Sequence, residues 1–235
     1  MAHIQSEQPT NATTPVIVHH LSDSRSQRIL WLLEELEVPY EIKRYERQDN
    51  HMAPRELRAV HPLGKSPVIT AGSITVAESG AIVAYLIEKH GKPVQLSEEG
   101  RRQDTYFSHY AEGSLLPILV QKLMYTIIPS QTPFYLRPLA WLFCGGLLSS
   151  VVNPQLKTHS QYIESHIASM HGGWFAGGAE PTSADYMMAF GLEAMVAFDT
   201  DKTIVGPASR KYVEKVHARP AYKRALERGG EYAYA

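Results

Sequence analysis

Two periods of hydrophobic and polar positions alternate along this chain. Val16, Ile17 and Val18 form a short β-branched run; beyond a polar turn holding Ser22, Ser24 and Ser26, the apolar residues Ile29, Leu30, Leu32, Leu33 and Leu36 recur at helical spacing. The pattern predicts a strand, a turn, a helix to about Glu37 and a second strand reaching Ile42. Ser24 stands three residues before Gln27, the spacing of a capping box, and is expected to be the N-cap of that helix. From His61 onward the sequence gives a Pro-Gly turn, a strand over Pro67 to Thr70, a reversal at Ala71-Gly72-Ser73, another strand, and a helix starting at Glu78-Ser79 and running to about His90. With a weak helix around Pro54 to Val60, residues 15–92 read as β-α-β-α-β-β-α.

Gly91-Lys92-Pro93 closes that unit, residues 93–100 read as linker, and from Arg101 the pattern is helical almost throughout. Tyr106, Phe107, Tyr110, Leu115, Leu116, Leu119 and Leu123 fall on one apolar face. The run from Pro138 to Val152 is the most apolar stretch, yet it is shorter than the roughly 18 to 20 residues that cross a bilayer and contains Gly145-Gly146. It predicts a buried or dimer-facing helix, with peripheral membrane contact as the alternative. Asn153 to His171 is amphipathic; Thr182 and Asp185 form a second capping-box pattern before a hydrophobic helix, a structural signal rather than a catalytic one; two helices, Ser209 to Ala218 and Ala221 to Arg228, finish the chain. Met187, Met188 and Met195 are expected to fill core.

Composition narrows the class. At 235 residues, 44% hydrophobic, the chain can bury two small cores, and a formal charge of −1 offers no global field for nucleic acid. The single cysteine, Cys144, excludes an internal disulfide and a Cys-rich zinc site, suits a reducing cytoplasm, and lies in the apolar run where low reactivity is expected. Eleven histidines lack the close spacing of a metal motif, so no metal is predicted. The polar opening, residues 1–14, lacks a secretory pattern and reads as a disordered tail; Asn11-Ala12-Thr13 is taken as a chance glycosylation match.

The chemistry suggested by the pattern lies at the two helix starts, where unpaired backbone N–H groups and serine hydroxyls would face one anionic ligand. The serine turn before Arg28-Ile29-Leu30-Trp31, followed by His61-Pro62-Leu63-Gly64-Lys65-Ser66-Pro67 and by Glu78-Ser79-Gly80, resembles the soluble glutathione transferases, and among them the fungal GTT group. The resemblance implies an α/β thioredoxin-like N-terminal domain over 15–92 and an all-α C-terminal domain over 101–235. It implies glutathione as co-substrate, a cis Ser66-Pro67 bond that offers the Ser66 backbone to the cysteinyl part, Glu78 and Ser79 on the γ-glutamyl end and Lys65 on the glycyl carboxylate. A hydrophobic electrophile would enter between the domains, with Tyr106, Tyr110, Met124 and Tyr125 as candidate contacts, and a homodimer is expected.

The catalytic candidate is Ser24, a hydrogen-bond donor to the thiolate, with Ser22 as its rival; Asp23 cannot donate when ionised. His19 and His20 are expected to be strand residues, and Asn50 and His51 solvated loop residues that could reach the ligand. Glutathione-dependent peroxide reduction and a non-catalytic ligand carrier are the alternative functions, whereas the superfamily's disulfide reductases carry cysteine where this chain has serine.

Overall fold

The computed structural model describes residues 15–48 and 52–234. The expected tail over 1–14 and the candidates Asn50 and His51 lie outside the described residues. Strand β1 (Val16–Leu21), helix α1 (Gln27–Glu35) and strand β2 (Tyr40–Tyr45) form a parallel β-α-β unit, with Val18 opposite Ile42. Strands β3 (Val68–Ala71) and β4 (Ile74–Ala77) follow as an antiparallel hairpin, closed at Gly72 with φ of 62°, and the sheet order is β2-β1-β3-β4. Helix α2 (Ser79–His90) completes this half.

Three sequence expectations are corrected here. The weak helix near Pro54 to Val60 is a single 3-10 turn, Arg55–Ala59. Helix α3 (Glu98–Tyr110) starts inside the expected linker, because Ser97 caps it by accepting a hydrogen bond from the Gly100 N–H at 3.0 Å. Ser24 is not the N-cap of α1; Ser26 holds that position.

Helix α3 runs through a π turn at Ala111–Leu115 into α4 (Leu116–Gln131), and α5 (Arg137–Leu147) runs through a second, Leu148–Val152, into α6 (Asn153–Ser169). Each π turn ends two residues before a proline, Pro117 and Pro154. A proline lacks the i→i−4 donor and its ring crowds that carbonyl, and the wider turn makes room without a break. Helix α7 (Ser183–Phe198) packs against α3 and α8 (Pro207–Ala218), and α9 (Pro220–Gly229) packs against α1. The capping box of α7 is formed: Asp185 Oδ2 accepts from the Thr182 N–H at 2.8 Å, and Oδ1 accepts from the Phe175 N–H at 2.9 Å and the Tyr212 hydroxyl at 2.5 Å.

The two halves share one core. Trp31 of α1 is fully buried and its ring meets Tyr186, Tyr222 and Trp174 of the helical half at 4.7, 6.0 and 6.4 Å. Met187, Met188 and Met195 sit in the same core, as expected. In the apolar run Pro138 to Val152, Cys144 and Val152 are buried while Leu139, Trp141, Leu142 and Phe143 are exposed, so of the expected readings the wholly buried helix is corrected.

Candidate functional site

Between the halves lies a cavity of about 450 Å³, within the size range of small-molecule sites. Its polar wall comes from the turn after β1, the segment leading into β3 and the turn after β4: Asp23, Ser24, Arg25, Lys65, Ser66, Pro67, Glu78 and Ser79 all line it. Ser24 and the five expected binding residues therefore converge from three separate segments, and the Ser66-Pro67 bond is cis. Ser22 does not line the cavity; its Oγ accepts from the Arg47 N–H at 3.4 Å.

The serine turn has its own geometry. Asp23 adopts φ of 47°, and its carboxylate Oδ1 accepts from the Ala233 N–H at 2.7 Å. This left-handed residue reverses the chain so that Ser24 Oγ accepts from the Ser26 N–H at 3.2 Å in a local turn, with the helix starting only after it. Ser24 Oγ lies 2.7 Å from Ser26 Oγ, which lies 2.7 Å from His20 Nδ1. His20 is buried, and desolvation, with Arg44 beside it, pushes its pKa down to about 4, so the ring is neutral at pH 7. A neutral ring that carries its proton on Nδ1 would donate to Ser26 Oγ, and a Ser26 hydroxyl turned from the Leu21 carbonyl, 3.3 Å away, would donate to Ser24 and leave the Ser24 proton for the cavity. His20 was missed as a partner of this turn by sequence reasoning, since strand register and a helix cap six residues on give no signal of contact.

At the other helix start, Glu78 holds φ of 72° and ψ of 125°, a conformation that costs a non-glycine residue on the order of 1–3 kcal/mol and clusters at functional sites. Ser79, buried, opens α2 next to it. Arg25, Arg47, Arg55, Arg58 and Lys65 line the cavity against the acids Asp23 and Glu78, a positive balance that favours an anionic occupant. Arg25 is tied at 2.7 Å to Glu112 of the first π turn, which also accepts from the buried Arg28 at 2.7 Å. Among the described residues no three His, Cys, Asp or Glu side chains converge as a metal site.

The apolar wall differs from the residues expected for it. Tyr106, Tyr110, Met124 and Tyr125 do not line the cavity; Leu116, Leu119, Val120, Leu123, Phe190, Ala194, Phe198 and Tyr234 do. Tyr106 and Tyr110 instead stack at 5.7 Å in an aromatic cluster with Phe107 and Tyr162, on the side of α3 turned toward α6. Leu116, Leu119 and Leu123 were legible as an apolar face, but periodicity alone does not say which part of such a face borders a void.

Residues 15–88 match the family model described as "Glutathione S-transferase, N-terminal domain". Glutathione S-transferase 3 of Schizosaccharomyces pombe is 34% identical over 91% of this chain and 87% of its own length. Glutathione S-transferase 1 of Saccharomyces cerevisiae is 31% identical over 91% of this chain and 95% of its own. Among solved structures, a glutathione transferase family member from Pseudomonas fluorescens with two glutathione bound superposes with a TM-score of 0.71 at 22% identity, covering 93% of this chain and 95% of that one. A cavity walled by the serine turn, the start of α2 and a cis-proline turn, in a thioredoxin-like half joined to a helical half, thus goes with extended sequence identity to fungal enzymes, and the chain belongs to the glutathione S-transferase family.

Proposed function

We propose that this transferase binds glutathione along the polar wall of the cavity and that Ser24 stabilises its thiolate for attack on a hydrophobic electrophile held against the apolar wall. The hydroxyl chain His20–Ser26–Ser24, ending on a cation-rich cavity, carries this reading. Ser79 and the start of α2 take the γ-glutamyl carboxylate, Glu78 the amine, the Ser66 backbone the cysteinyl part and Lys65 the glycyl carboxylate. A free thiol titrates near pH 8.5, and lowering that by two units takes about 2.7 kcal/mol of preference for the thiolate. One hydroxyl donating to a charged acceptor supplies roughly 1.5–3 kcal/mol. The α1 macrodipole adds little, because Ser24 lies ahead of the first helical turn, and the cations of the cavity supply the remainder. In the reaction a carbon–sulfur bond forms, the leaving group departs with its electron pair, and serine is neither base nor nucleophile.

Ser24→Ala is expected to keep glutathione affinity within a few-fold and to lower conjugation of an aryl halide by roughly 10- to 100-fold, the loss of one hydrogen bond to charge. Ultraviolet titration of the bound thiol should show its pKa raised in that variant. An unchanged titration in Ser24→Ala with a shifted one in Ser22→Ala would transfer the role to Ser22. We extend the proposal to a homodimer with two such sites. A species of 26.3 kDa persisting in sedimentation at high protein concentration would remove that part.

A further inference from the structure

The end of the hairpin formed by α4 and α5 is the most exposed apolar surface among the described residues. Phe134 is 78% exposed, Leu142 76% and Phe143 66%, with Tyr135, Leu139 and Trp141 beside them. Isolated exposed hydrophobes are ordinary, but six large ones at one tip are not. Three observations identify what covers them. Trp141, Leu142 and Phe143 are consecutive on α5, so at about 100° per residue they fan through roughly 200° of the helix. A flat protein partner covers one side of a helix and leaves part of that fan in water, whereas an apolar medium surrounds it.

The charge pattern agrees with a lipid surface. None of residues 113–163 is Asp or Glu, in a chain with 24 acids, while Lys122, Arg137 and Lys157 lie in that stretch. No carboxylate is present there to be repelled by lipid phosphates or desolvated by the headgroup layer, and the nearest cation, Arg137, sits at the tip itself.

The turn is closed on itself. Arg137 donates to the Thr132 and Ser130 carbonyls at 3.0 and 3.4 Å, the Thr132 hydroxyl to the Ile128 carbonyl at 2.8 Å, and the Leu136 N–H to the Pro133 carbonyl at 2.9 Å. A turn that enters the acyl boundary needs its carbonyls satisfied from within.

The rod Arg137–Ser169 passes for a spanning helix by length and composition, but its second half buries Leu156, Ser160, Ile163 and Ile167 in the protein and carries Glu164. Only α5, about 16 Å long, is free, against a hydrocarbon core of about 30 Å. We propose that the α4–α5 tip is a monotopic anchor that inserts Phe134, Leu139, Trp141, Leu142 and Phe143 into the interface of a lipid bilayer.

The test is independent of glutathione. Trp31 and Trp174 are buried, so Trp141 is the one exposed tryptophan of three and reports the tip directly. The full chain is mixed with vesicles of phosphatidylcholine and phosphatidylserine at 70:30, and both flotation and tryptophan emission are followed. Wild type is expected to float with the vesicles and to shift its emission to the blue, with quenching by brominated acyl chains. Leu142→Glu with Phe143→Glu, at positions already facing water, is expected to partition at least tenfold less while keeping wild-type circular dichroism and melting. Failure of the wild type to bind, or equal binding by the double variant, overturns the proposal. So does Trp141 emission that is already blue without vesicles and reddens as the protein is diluted, which would assign the tip to a second copy of the chain.

Discussion

At the residue scale the site is an argument about one proton. Ser24 Oγ accepts from the Ser26 N–H at 3.2 Å, which leaves its own proton for a thiolate, and Ser26 Oγ bridges Ser24 Oγ to His20 Nδ1 at 2.7 Å on each side. Protonation of His20 keeps a donor on Nδ1 but places an uncompensated cation in a buried site, so it acts through stability. The folded pKa, about 4, lies below the ordinary value of 6.5; the unfolded chain therefore binds more protons between those limits, and stability falls as pH drops from about 6.5 to about 4. A depression of this size corresponds to about 3 kcal/mol when complete. Denaturant titrations at pH 7 and pH 4.5 should show His20→Asn losing clearly less stability on acidification than wild type. Equal losses would show that other histidines, such as the buried His19 and the half-buried His166, whose pKa values desolvation also lowers, carry the acid sensitivity.

At the element scale, Asp185 is a structural acid that holds α7 to the loop before it and to α8. Replacing it with alanine leaves the buried Phe175 and Thr182 N–H groups without acceptors, each worth about 1–3 kcal/mol. Asp185→Ala should thus lower stability by about 3 kcal/mol or more and the thermal midpoint by roughly 10 °C, with activity per folded molecule unchanged. Loss of activity at full stability would make it a site residue instead. This box was legible because its partners lie three residues apart, and so were the strands, the Gly72 hairpin and the extent of α2, all written in local period and turn chemistry. The α1 start was not: the Ser24–Gln27 spacing mimics a capping box, but Asp23, held left-handed against Ala233 far along the chain, moves the helix start on by two residues. The cavity's apolar wall was hidden for the same reason. Phe190 and Phe198 read as core positions of α7, and only the packing of two halves leaves a void beside them.

At the scale of the whole molecule, the chain closes on itself at the site. After α9 the last described residues return to the first half: the Tyr232 hydroxyl donates to the buried Glu193 at 2.6 Å, the Ala233 N–H holds Asp23, and Tyr234 packs edge-on to Phe190 at 5.7 Å while lining the cavity. The segment thereby joins both functions of the site, fixing the turn that presents Ser24 and completing the wall for the electrophile. Ending the chain after Gly230 should release both. The bound thiol's pKa should rise as the Asp23 turn loosens, and KM for an apolar electrophile should increase several-fold as the wall opens. Tyr234→Ala separates the two effects, because it removes only the ring: KM for the electrophile should rise while the thiol titration stays at its wild-type position. If the shortened chain keeps both the wild-type titration and the wild-type KM, the closing segment is packing alone, and the Asp23 turn is held by its own local bonds and by Arg47, which donates to the Asp23 carbonyl at 3.1 Å.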